Sequence, residues 1–202
     1  MKKIDKIIIG TRNDGKFKEI CDLLPKNITK ISPRDLNLLS PDETGNTFEE
    51  NSKIKAEYFA KKANLIAISD DSGLIIDLLS GAPGIYSSRW AGPTNDFNVA
   101  IKKVYNELKK VKFEWSKRKE VVARFISCLT LYWPNGKFVS STGIVDGRIS
   151  EIKKGSNGFG YDPIFIPSGY EKTFGELNPQ EKIKIDHRSK AFLKISNLFI
   201  DF

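Results

Sequence analysis

The stretch "IIIGTRNDGKFKEI", residues 7–20, decides how this chain begins to fold. Its three isoleucines read as a buried β-strand, residues 11–15 as a turn, and Lys16 onward as a helix with Phe17, Ile20, Leu23 and Leu24 at core-facing spacing. The start of such a helix presents unpaired N–H groups and the positive end of its dipole, so a lysine there can complete an anion pocket. The competing reading is that Asn13 or Asp14 caps the helix while Lys16 is solvated. The turn is neither a dinucleotide fingerprint nor a P-loop, because both glycine patterns are absent.

Outward from this stretch, strands and helices alternate. Residues 28–31 form a candidate short strand, and residues 32–46, punctuated by Pro33, Pro41 and Gly45, an irregular segment. "TFEE" is a capping box that starts a helix, with Thr47 as N-cap and Glu50 at N3. Phe48, Ser52, Ala56, Phe59 and Ala63 fall on one stripe, small enough to pack closely on a sheet. "IAISD" from Ile66 and "LIIDLL" from Leu74 are two apolar segments with "DSG" between them. Phe97, Ala100, Ile101, Val104, Tyr105 and Leu108 mark an amphipathic helix over residues 96–110. Residues 121–133 are apolar on both faces and turn through "PNGK" into residues 138–145, a central hairpin. Asn178 and Pro179 suit the N-cap and N1 of a short helix, and residues 188–202 supply a last amphipathic one. The expectation is a single α/β domain over residues 1–202, with helices flanking a mixed sheet.

A chain of 202 residues, 40% hydrophobic and 11% aromatic, can bury a real core. Thirty-three basic against 25 acidic side chains give a net charge of +8 and a pI near 9.3, which favours an anionic partner. The basic residues are scattered in short clusters, at Lys102 and Lys103, Lys109 and Lys110, and Lys117 to Lys119. They build no long arm, which argues against duplex nucleic acid as that partner. Cys21 and Cys128 have neither metal-site spacing nor a disulfide framework and read as buried thiols in a reducing compartment. No segment has the length of a signal peptide or a membrane span, so a cytoplasmic protein is expected.

Carboxylates gather where the chemistry is expected. Asp70 and Asp71 end a buried strand and should point to opposite faces, because strand side chains alternate. Apolar surroundings make an unpaired carboxylate expensive, so a metal, a base or solvent must compensate each. The doublet is either structural or part of a site. Asp42 and Glu43 lie in the loop before the capped helix, as solvated charge or as partners in a Mg²⁺ site, since Mg²⁺ takes few protein oxygens. Lys182, His187 and Arg188 put three donors near one helix junction, which a surface helix start would equally explain. "GFGYDPIF", residues 158–165, reads as a tight turn entering a strand, or as an aromatic pocket for a base.

Taken in order, "TRNDGK", "ETGNTFEEN", "DDSGLIID", "GAPGIYSSRWAG", "GFGYDPIF", "FGEL" and "EK" followed by "HR" resemble the ITPase-like nucleoside triphosphate pyrophosphatases, from Thr11 to Arg188. The resemblance implies an elongated fold of two lobes with an active cleft between them, Mg²⁺ dependence and a homodimer. It implies hydrolysis of non-standard purine nucleoside triphosphates such as ITP, dITP and XTP to the monophosphate and pyrophosphate. By position it makes the turn Thr11, Arg12, Asn13, Asp14, Gly15 and Lys16 a triphosphate-binding segment. It makes Asp71 the catalytic acidic residue, which orients or deprotonates the attacking water, and a metal ligand, with Asp42 or Glu43 as the second ligand, and Ser72 a substrate contact. Phe159, Gly160, Tyr161 and Asp162 match the base-side motif, and Lys182, His187 and Arg188 the remaining substrate contacts. Asp42 stands where the family has a longer glutamate, and Asp186 where it has a serine. These three donors suit the 6-oxo group of hypoxanthine and xanthine better than the 6-amino group of adenine. The rival from another class is a basic nucleic-acid-binding module, which would leave the acidic "DDSG" and "DETG" segments unexplained.

Overall fold

The computed structural model describes residues 4–111 and 120–199. The basic cluster at Lys117 to Lys119 lies outside them. Six strands form one mixed sheet in the order β2-β1-β3-β4-β5-β6. They are β1 (Lys6–Ile9), β2 (Thr29–Ile31), β3 (Ile66–Ile76), β4 (Val122–Tyr132), β5 (Phe138–Ile149) and β6 (Phe165–Pro167). β1 runs parallel to β2 and β3, with Ile7 opposite Lys30 and Ile66, whereas β5 and β6 are antiparallel. The helices are α1 (Asp14–Leu23), α2 (Phe48–Ala63), α3 (Phe97–Val111), α4 (Pro179–Lys182) and α5 (His187–Leu193). No described helix is long and apolar enough to cross a membrane.

The chain divides into two compact units. Unit 1 comprises residues 1–71, 127–143 and 187–202, and unit 2 residues 72–126 and 144–186. In unit 1 the alternation of strand side chains sorts the core onto two faces of the sheet. Ile7, Ile9, Ile68, Leu129 and Leu131 pack with Ile20 of α1 and Ala191 and Phe192 of α5. Ile8, Ala67 and Tyr132 pack with Ala56, Phe59 and Ala60 of α2. The close approach of α2 is possible because residue 10 is glycine: a Cβ there would lie 2.0 Å from Ser69 Oγ and 2.6 Å from the Phe59 ring. Unit 2 has its own core, in which α3 contributes Ala100, Ile101, Val104 and Leu108, and Phe125, Phe165 and Phe174 pack ring to ring.

Several boundaries differ from the sequence pattern. "DSG" does not separate two segments. β3 runs unbroken through it, because Asp70 and Asp71 find charged partners and need no turn to water. The irregular residues 32–46 include a short 3₁₀ turn, Pro33–Leu36, closed by its own capping box between Ser32 and Asp35. Thr47 caps α2 as expected, but Glu50 reaches the Asn46 N–H instead of that of Thr47. The last amphipathic segment is α5 followed by a 3₁₀ turn, Ser196–Phe199, with residues 200–202 outside the described part.

Candidate active site

The turn after β1 has the expected cap but not the solvated lysine. Asn13 is the N-cap of α1, its Oδ1 accepting the Lys16 N–H at 3.0 Å, and α1 begins at Asp14. Lys16 is nevertheless not solvated: its Nζ sits 2.9 Å from Asp70 Oδ2. Thr11 is buried and its Oγ1 accepts the Asn13 N–H at 3.2 Å. Gly15 lies in the first turn of α1. Arg12 and Asp14 are exposed, and Arg34 engages both, through the Arg12 carbonyl at 2.9 Å and the Asp14 carboxylate at 2.8 Å.

Asp70 faces α1 and α5. Its Oδ2 meets Lys16 and, at 3.2 Å, Arg188 Nη2, while its Oδ1 accepts the Ser127 hydroxyl at 2.5 Å. Burial alone would push this carboxyl up, but Arg188, Lys16 and the Ser127 hydroxyl together hold it well below the usual carboxylate range. Arg188 is itself fully buried, and its other Nη donates to Glu19 on α1. His187, also buried, opens α5.

Asp71 faces the other way, toward α2. Its Oδ1 lies 3.0 Å from Lys55 Nζ, which also meets Glu43 Oε1 at 2.6 Å. Its Oδ2 is buried without a hydrogen-bond partner among the described residues. Burial pushes the Asp71 carboxyl up; Lys55 and Lys16 oppose this, and Glu43 adds to it. Lys55 is also pushed up, because Asp71 and Glu43 outweigh its own burial. One ammonium shared between two carboxylates is therefore firmly protonated and leaves Asp71 under-compensated. Of the two loop acids, Glu43 is drawn toward Asp71, whereas Asp42 is exposed.

The residues fit a divalent cation in one respect: Asp71 Oδ2 is a buried, unused carboxylate oxygen with a second carboxylate nearby on Lys55. Among the described residues no three His, Cys, Asp or Glu side chains gather as a metal cluster, so any such ion would take most of its oxygens from water and substrate.

Unit 2 holds Ser72, the segment of residues 158–165 and Lys182. Ser72 lies on β3, half-buried. Lys182, the last residue of α4, donates to Asp162 Oδ2 at 2.6 Å, and the same oxygen accepts the Phe159 N–H at 2.8 Å. The Lys182 ammonium lies 5.1 Å from the centre of the Phe159 ring, a cation–π arrangement. Gly158 has φ +73°, and a Cβ there would strike Asp162 Oδ2 at 2.0 Å. Glycine thus lets the loop fold onto its own aspartate. Gly160 also takes a positive φ, and Tyr161 is buried with its hydroxyl on the Ser87 carbonyl at 2.9 Å.

Three participants escaped the sequence reading: Lys55, Glu19 and Ser127. Lys55 had a signal, since it shares the helix face of Ser52, Ala56 and Phe59, and a lysine on a buried stripe needs a carboxylate. Glu19 and Ser127 had none, because only the packing of α5 and β4 brings their partners to them.

The Ham1 family model matches residues 7–198. The chain is 44% identical to the dITP/XTP pyrophosphatase of Agrobacterium fabrum, with 96% of each protein covered. It is 42% identical to the dITP/XTP pyrophosphatase of Rhodopseudomonas palustris, over 96% of this chain and 95% of that one. Among solved structures it is similar to a HAM1 protein from Coxiella burnetii, with a TM-score of 0.83, 36% identity and coverage of 96% and 97%. The Ham1 protein of Staphylococcus aureus gives a TM-score of 0.81 at 34% identity, with the same coverage.

Proposed function

The chain belongs to the Ham1 family, and from that premise we propose that it hydrolyses non-standard purine nucleoside triphosphates such as ITP, dITP and XTP to the monophosphate and pyrophosphate. Two-fifths identity over almost the whole length to proteins named dITP/XTP pyrophosphatase supports the reaction. The observation that carries the site is the split of the Asp70–Asp71 doublet: one carboxylate holds two cationic donors, and the other is buried with one oxygen that no described residue bonds.

In this reading Asp71 orients the attacking water and accepts its proton. A new bond forms between the water oxygen and phosphorus of the α–β anhydride as the P–O bond to pyrophosphate breaks. Burial raises the Asp71 carboxyl in the metal-free protein, and a bound Mg²⁺ would oppose that rise. Lys16, with the N–H groups at the start of α1, holds the triphosphate. Asp71 and Glu43 would hold Mg²⁺, which when bound neutralises charge developing on the phosphates. Phe159, Lys182 and their neighbours in unit 2 are assigned to the base. The chain is proposed to work as one catalytic domain in a cytoplasmic homodimer.

The direct test is release of pyrophosphate from ITP, dITP, XTP, GTP and ATP with and without Mg²⁺. Turnover of ITP, dITP and XTP in preference to ATP supports the assignment. Salt-sensitive binding of an oligonucleotide without turnover would return the chain to the nucleic-acid class.

A further inference from the structure

Four side chains of unit 1 form an array of alternating charge. Lys16 Nζ meets Asp70 Oδ2 at 2.9 Å, Asp70 Oδ2 meets Arg188 Nη2 at 3.2 Å, and Arg188 Nη1 donates to Glu19 Oε2. Lys16 and Glu19 are one turn apart on α1, so the array begins and ends on the same helix. Two cations therefore share one oxygen of one carboxylate. Asp70 cannot turn to follow either, since Ser127 holds its other oxygen from β4.

The two cations are not equal competitors. The Arg188 side chain is 1% exposed, whereas that of Lys16 is 16% exposed. A guanidinium fork matches a carboxylate with two parallel hydrogen bonds, which a single ammonium cannot do. Without Glu19, the freed arm of Arg188 would turn toward Asp70 and compete with Lys16 for it. Glu19 occupies one arm of the fork. It also brings this array to two cations and two carboxylates.

We propose that Glu19 is a positioning residue for the phosphate-binding lysine: by holding one arm of Arg188, it keeps Asp70 Oδ2 available to aim Lys16. The proposal rests on the assignment of Lys16 to the triphosphate. The role assigned to Glu19 is indirect, through Arg188 and Asp70.

The test is a double-mutant cycle on pyrophosphate release from ITP, using the wild type, Glu19→Gln, Lys16→Ala and the double variant, with melting temperatures measured in parallel. Glu19→Gln should raise KM for ITP about tenfold, the value of one weakened charged hydrogen bond, and change kcat far less. In the Lys16→Ala background the same substitution should change neither constant. Glu19→Asp keeps the charge with a shorter reach and should give an intermediate KM. Additive losses in the double variant, or a lowered melting temperature with unchanged KM, would overturn the positioning role and leave the reaction standing. A wild type that releases no pyrophosphate would instead sink the reaction, and the role with it. If Glu19→Gln does not fold, Glu19→Asp carries the same cycle, and its KM rise must vanish without Lys16.

Discussion

The two faces of β3 in unit 1 carry neighbouring aspartates with opposite fates. On the face of α1 and α5, Asp70 receives Lys16, Arg188 and Ser127, and its carboxyl is held low. On the face of α2, Asp71 shares Lys55 with Glu43, has one oxygen that no described residue bonds, and its carboxyl is pushed up. The backbone imposes this division, since successive strand residues cannot face the same way. One carboxylate is fully satisfied and organises its neighbours; the other is left unsatisfied, which is the condition for binding a cation or taking a proton.

The sharpest way to break this comparison is to neutralise each aspartate separately. Asp71→Asn should lower kcat for ITP by about 10²–10⁴-fold, the range of a lost general base. Its melting temperature should stay close to that of the wild type, because the charged form that burial penalises is removed. Near wild-type turnover would exclude Asp71 from the reaction.

Asp70→Asn should do the reverse to stability, at a cost of about 3–5 kcal/mol, as expected when one partner of a buried ion pair is lost. The pH dependence has a definite sign. A carboxyl held low in the folded state contributes stability that is fully present above its unfolded pKa, the ordinary aspartate value near 3.8, and is lost as pH falls through the lower folded value. The gap in stability between wild type and Asp70→Asn, read from urea melts of metal-free protein, should therefore be constant near neutrality and close in acid. A gap independent of pH would show that the Asp70 charge contributes nothing.

A smaller effect is expected at Lys16, whose Asp70 partner survives its loss. Lys16→Ala should reduce kcat/KM for ITP roughly tenfold to hundredfold, since charged hydrogen bonds are worth about 1.5–3 kcal/mol. Unchanged kinetics would make the Lys16–Asp70 pair purely structural.

Much of this was legible in the sequence, for reasons that differ between elements. The opening strand and α1 were readable because Ile7 to Ile9 and the spacing of Phe17 and Ile20 are local signals. The opposition of Asp70 and Asp71 was readable because strand geometry fixes it whatever the partners. What surrounds each aspartate was not: Arg188 reaches Asp70 from far along the chain, and no local pattern encodes that. Continuous pairing through "DDSG" escaped for the same cause, since polar residues look like a break until their partners are known. The role of Arg188 is the clearest case. Its place beside His187 suggested a donor aimed at the base, whereas its guanidinium lies between Asp70 and Glu19.

That placement turns base reading into a choice between Arg188, held by Asp70 and Glu19, and Lys182, held by Asp162. ITP and ATP differ at the base and share the triphosphate, so the ratio of their kcat/KM values isolates base reading and is unaffected by how much of a variant is folded. Arg188→Ala should lower both activities by the same factor, because the loss passes through Asp70 and Lys16 to the phosphates. Lys182→Met should shrink the ratio instead. The 6-oxo group of hypoxanthine accepts from an ammonium, the 6-amino group of adenine does not, and one such donor is worth about 1.5 kcal/mol, or roughly tenfold. Asp162 would still accept the Phe159 N–H in that variant, so the loop keeps that tie. The opposite pattern, with the ratio moved by Arg188→Ala and untouched by Lys182→Met, would mean that Arg188 leaves its carboxylates when nucleotide binds and reads the base itself.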